Sequence, residues 1–229
     1  MTTRTRLAFG VMLALAVTIA ATGRGVDEVP SAVHDAAVHA DDGVLYVNGS
    51  GDFPAEATPA DVARRADYVI EGIVDGFEDG HTESVMNELG DVEQDRYVVI
   101  RVKIAEVLKG DRSAFAGGFA YVTRSRGIQT YDARGTLMPG RDVTVGLDDI
   151  ERAIPRGSRI LVMAGPATRA GGEVRNARAG VPEPDVPILD VENPQAILLD
   201  GGPESTLRGW QDDSEITFES ALADVRALP

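Results

Sequence analysis

Asp91, Glu93 and Asp95 stand at alternate positions in the sequence. On an extended backbone, residues two apart point to the same side, so the three carboxylates would share one face. Their mutual repulsion is relieved by a bound cation or by solvent. Calcium is the cation that suits such oxygen ligands, and extracellular calcium sites bind with a Kd of about 10⁻⁴ to 10⁻³ M. A solvated acidic loop is the plainer reading of the same residues. Nearby, Asp75, Asp79 and Gly80 meet positions 1, 5 and 6 of an EF-hand loop. Phe77 and Met86 stand where that loop needs oxygen ligands, so the motif fails.

Other reactive groups form no recognised constellation. The histidines are His34, His39 and His81, and the first two, five apart, do not share a helical face as a His-Glu-x-x-His zinc motif requires. There is no Gly-x-Ser-x-Gly elbow for a serine hydrolase. Among thirty-seven acidic residues some carboxylate pair with glycosidase spacing will always exist, so such a pair has little diagnostic force. The glycine pairs 117–118, 171–172 and 201–202 lack the Lys-Ser/Thr of a phosphate loop and read as turns. Arginines recur at 124, 126, 152, 156, 159, 169, 175 and 178. They fit either surface ion pairing or a face for an anionic polymer. Trp210, the single tryptophan, reads as a core plug or a binding aromatic beside Arg208.

Composition narrows the class. The 229 residues contain no cysteine and carry a formal charge of −15. A disulfide framework, a cysteine-linked lipid anchor, a zinc ribbon and a thiol nucleophile are therefore excluded. So acidic a chain repels phosphate backbones, which argues against nucleic-acid binding. Arg4 and Arg6 precede fifteen uncharged residues, 7–21, with small residues at 20–23. That layout predicts a secretory signal over 1–23, too short for an ordinary transmembrane span. An uncleaved N-terminal anchor is the alternative. Cleavage would leave twenty basic against thirty-seven acidic residues, a charge of −17.

The elements that would position any site are mostly strands. Residues 24–57 read as a loose acidic leader with one short strand at 44–47, and 58–229 as a single domain. Thr58-Pro59-Ala60-Asp61 has the grammar of a helix start. Residues 68–74 form a strand whose Gly72 signals a bulge or a close backbone approach. Residues 75–94 look like a long polar excursion. In 96–108, Val98, Ile100, Val102 and Ile104 alternate onto one face, and the phase slips before Val107 and Leu108, as at a β-bulge. Further strands are predicted at 120–123, 159–164, 174–177, 187–190 and 196–199. A long connection covers 124–157, with a helical turn at 148–153. Phe218, Ala221, Leu222 and Val225 give one face of a C-terminal helix over about 217–227. The fold class expected is mainly β: a small barrel of five to seven short strands with short flanking helices, or alternatively a β-sandwich.

The run of ADYVIEGIV, YVVIRVKIAEVLKGD, AYVTRSRG and IPRGSRILVMAGP resembles the strand order of netrin-type, OB-like β-barrel domains. In the same coarse sense it is similar to the domain of the tissue inhibitors of metalloproteinases. The resemblance covers about 60–165 and implies a barrel. Those inhibitors reach zinc through an N-terminal cysteine, which this chain lacks, so no functional residue carries over. The expected function is an exported, non-catalytic binding domain for an extracellular protein or polymer, contacting its ligand through 75–94 and 124–157, without stable membrane insertion once the signal is removed. A secreted hydrolase with dispersed acidic residues and a calcium-stabilised cell-surface module are the alternatives.

Overall fold

The computed structural model describes Leu45 and residues 56–168, 172–191, 193–202 and 216–229. By contacts the chain divides into Met1–Ala36 and Ala37–Pro229, and every described residue belongs to the second unit. The signal, most of the leader, His34, His39, Arg169, Arg208, Trp210 and the acidic pair 212–213 lie outside the described residues.

Helix α1 (Pro59–Arg65) begins as its residues dictate. Thr58 Oγ1 accepts from the Asp61 amide at 3.2 Å, and proline opens the first turn. Strands β1 (Tyr68–Met86), β2 (Val92–Lys109) and β3 (Phe119–Tyr131) are long and antiparallel. They are followed by β4 (Leu137–Asp142), α2 (Leu147–Ala153), β5 (Arg159–Pro166), β6 (Glu173–Arg175), β7 (Ile188–Asp190), β8 (Ile197–Leu199) and α3 (Phe218–Arg226). Thr217 and Ser220 form a reciprocal capping box at the start of α3, and its Phe218, Ala221, Leu222 and Val225 are buried as their spacing requires.

The fold is mainly β, and its strand pairing closes on itself. β1, β2, β3, β7 and β5 form a ring: β3 pairs with β7 in parallel, and β5 returns to the first six residues of β1. Such closure leaves these strands no free edge, as in a barrel and unlike two separate stacked sheets. Val98, Ile100 and Val102 of β2 are paired with Arg124, Val122 and Ala120 of β3, and all six are buried. The phase slip is a bulge: Glu71 pairs with Glu106 and Gly72 with Ile104, leaving Ala105 unpaired. Lys109 Nζ donates to the carbonyls of Ala63 and Arg64, at 3.1 and 2.8 Å, and so ties the end of β2 to the C-terminus of α1.

The two expected loops are largely sheet. Residues 75–86 continue β1, and only 87–91 turn before β2; residues 124–131 continue β3, which pairs with β4 at Gln129 and Tyr131. These stretches lack an apolar alternation because their acids are compensated across strands. Asp75 accepts from Arg101 at 2.5 Å and Asp79 from Arg126 at 2.9 Å, pairings that a linear period-2 pattern does not reveal. Past the ring, β1, β2 and β3 run on together, flanked by β6 on one side and β4 on the other. We call this five-stranded continuation the distal sheet.

Candidate functional site

The end of the distal sheet is built by two turns of the same design, Asn87-Glu88-Leu89-Gly90-Asp91 and Asp132-Ala133-Arg134-Gly135-Thr136. In each, the first side chain accepts two backbone amides. Asn87 Oδ1 takes Leu89 and Asp91 at 2.9 and 3.0 Å, and Asp132 Oδ1 takes Arg134 and Thr136 at 2.9 and 2.8 Å. The fourth residue is a glycine at φ +82° or +79°, whose amide bonds back to the first carbonyl. This is a tight turn closed by a left-handed glycine, for which Asn or Asp first and Gly fourth are the natural choices. The turns lie side by side: a Cβ on Gly90 would sit 3.9 Å from that of Ala133. At the equivalent third position one turn holds Leu89 and the other Arg134.

Around these turns the surface is apolar. Met86, Val92, Tyr131 and Leu137 occupy one register row across four strands, so they share a face. Leu89 is 83% exposed, Met86 69% and Val85 54%; Val143 and Leu137 are also exposed. Among the described residues these five are the exposed large hydrophobics, and all belong to the distal sheet or the segment leaving it.

Behind the turns lies a polar cluster. β1 carries an extra residue where Gly80 and His81 oppose Tyr97, and the buried His81 ring stacks on Tyr97 at 4.1 Å between centroids and 17° between planes. His81 Nε2 is 3.2 Å from Glu83 Oε1. Asp95, opposite Glu83 in the register, receives hydrogen bonds from the Ser125 and Tyr97 hydroxyls. Burial pushes the Asp95 carboxyl above the usual aspartate range, against those two hydrogen bonds, and pushes the Tyr97 phenol well up, aided by the Asp95 charge.

A stability consequence follows from Asp95. Its folded form holds the proton more tightly than the unfolded chain does. Stability therefore falls as pH rises from the ordinary value of 3.8 through the raised one, and the cost vanishes below 3.8. Asp95→Asn keeps an acceptor for Ser125 and removes that charge. Thermal midpoints measured from acid to neutral pH are expected to decline less steeply in the variant than in the wild type.

The three alternating acids thus fall in different settings. Asp91 ends the first turn, Glu93 is exposed on β2 beside Val85, and Asp95 is engaged by Ser125 and Tyr97. They are not gathered as a metal cage: among the described residues no group of three or more His, Asp or Glu side chains is placed to hold a metal ion. The arginine series is turned inward on the chain's own acids and carbonyls. Arg126, Arg152, Arg156, Arg159 and Arg175 form ion pairs, while Arg124 and Arg178 donate to backbone carbonyls. Leu89, Met86, Arg134, His81 and Ser125 were invisible as site residues in the linear sequence. The Asx-x-x-Gly spacing at 87–90 and again at 132–135 is the signal that finds the paired turns. Comparison with protein-family models, curated proteins and solved structures finds no match.

Proposed function

We propose that the protein is an exported, non-catalytic binding domain that contacts its partner through the end of the distal sheet. One observation carries this reading: the exposed large hydrophobics of the described residues all lie on the distal sheet or the segment leaving it, and the most exposed of them, Leu89, sits on a turn held by the Asn87 side chain. An apolar group already fixed in place loses little conformational freedom on binding, and clustered exposed apolar side chains mark interaction sites. The predicted signal over 1–23 supplies the route outside, and no helix among the described residues is long and apolar enough to cross a membrane.

The reading is tested by placing a photo-crosslinking amino acid at Leu89 and, separately, at Arg112 in a remote 3-10 turn, in the protein produced by its native cell. Irradiation is expected to give a discrete adduct from position 89 at least several-fold above that from 112. Equal yields from both positions would overturn it.

A further inference from the structure

The charges around the apolar tip identify the kind of partner it fits. Glu88, Asp91 and Glu93 lie within four residues of Leu89 and form no ion pair among the described residues, and Asp132 caps the neighbouring turn with its carboxylate. Against these four acids the two turns and their flanks, 85–93 and 130–137, hold one base, Arg134. On the walls of the ring the pattern is the reverse. Glu71 is shared by Arg159 and Arg226, Asp75 is held by Arg101, and Asp200 and Glu219 are held by Arg159. Carboxylates compensated within the chain have little left for a partner, whereas those at the tip keep their field.

From this we infer that the distal sheet docks a basic polypeptide segment, apolar at its centre and bearing Lys or Arg on either side; the inference rests on the docking reading above. The row Met86, Val92, Tyr131 and Leu137 crosses four strands, about 14 Å at the usual strand spacing. Three alternate side chains of an extended peptide cover the same length. The apolar row would meet those side chains, and the flanking bases would be drawn by Glu88 at the tip, with Glu93, on the other face of β2 from Val92, adding to the negative field at longer range. A second copy of this chain would bring four acids against four acids, and an anionic bilayer would repel the same rim. Both are disfavoured by the charge that favours a basic peptide.

Asn87 has a positioning role here. Its side chain accepts the amides of Leu89 and Asp91 and so presents Leu89 outward without touching a partner itself. Asn87→Ala is expected to leave the melting temperature nearly unchanged, to speed amide exchange at 89–91, and to weaken binding although Leu89 is intact.

The test is a titration of the isotope-labelled protein with three nonapeptides, followed by backbone amide shifts. The first has three leucines at alternate positions, spaced by threonine, between two lysine pairs. The second has glutamate pairs instead, and the third keeps the lysines but has serine for leucine. Only the first is expected to shift 85–93 and 130–137 appreciably at low ionic strength, with affinity falling as salt is added. Leu89→Ser with Met86→Ser, both exposed and so harmless to folding, should weaken it at least tenfold. Glu88→Lys with Glu93→Lys should reverse the preference toward the glutamate peptide. Equal binding of the lysine and glutamate peptides at the turns would overturn the basic partner while leaving the docking surface standing. Equal binding of the serine peptide, absence of shifts at the turns with every peptide, or Leu89-dependent binding to phosphatidylcholine–phosphatidylglycerol vesicles would also overturn it. Failure of the docking reading itself is read separately, by the crosslinking yield at position 89.

Discussion

Gly72→Ala is expected to lower stability by about 3 kcal/mol, the upper end of what overpacking usually costs. A Cβ at this position would lie 2.5 Å from Val102 Cγ1 and 2.6 Å from the Lys103 carbonyl oxygen. The side-chain clash can be relieved by moving Val102, but the carbonyl belongs to the β1–β2 ladder and moves only with the strand. Gly72 also sits where β1 is held on both edges, paired with Ile104 of β2 and Ile160 of β5. Displacing the backbone there loosens the closure of the ring as well as one hairpin. At roughly 2–4 °C per kcal/mol for a chain of this size, the melting temperature should fall by about 10 °C. A loss below about 1 kcal/mol in urea would show that β1 and β2 can separate locally at no great cost, and that the close approach is incidental. The reverse substitution at exposed Ala105, Ala105→Gly, should have a far smaller effect, since that residue is the unpaired one of the bulge.

Arg124→Ala should be at least as damaging, at about 3–5 kcal/mol. Arg124 pairs with Val98 in register and lies on the buried face with Val122 and Ala120. Its Nε donates to the Leu45 carbonyl at 3.0 Å and its Nη1 to the Val191 carbonyl at 2.8 Å. Truncation leaves both buried acceptors without this donor, at about 1–3 kcal/mol each, and opens a void. Arg124→Met separates the two costs, because it restores most of the volume and none of the donors. Denaturant melts should therefore place the methionine variant between alanine and wild type. Were methionine to equal the wild type, the carbonyls would have to be satisfied in another way. Leu45 is itself buried, so this guanidinium binds one point of the acidic leader to the core through a backbone acceptor.

The contrast between these residues and the distal sheet shows how much could be read without a structure. Gly72 is legible because a glycine inside a β run has few roles, and both expected roles are met: a bulge beside it and a backbone pressed against it. Thr58 and the apolar face of α3 are legible because capping and helical periodicity act within a few residues. Asp75, Asp79 and Glu83 are not. They look like loop acids, yet they lie in a strand, where Arg101 and Arg126 offset Asp75 and Asp79 across the sheet and Glu83 stands 3.2 Å from His81 on the same strand. Arg124 is misread for the same reason: a cation in a polar run looks like surface, and its carbonyl partners lie 79 and 67 residues away.

The sequence by itself determined what depends on composition and on near neighbours along the chain: a cysteine-free, strongly acidic, mainly β protein with an amphipathic terminal helix and a bulged central strand. These follow from local preferences and from period-2 or period-3.6 burial, which any short window contains. Tertiary structure alone decided that the strands close into a ring, that β1, β2 and β3 outrun it, and that two turns 45 residues apart end side by side. Register brought Gly90 beside Ala133 and set Asp95 against the Ser125 hydroxyl. Which carboxylates are neutralised and which stay free is a matter of cross-strand partners. That pairing, rather than the total charge, is what sets the acids at the end of the distal sheet apart from those on the ring.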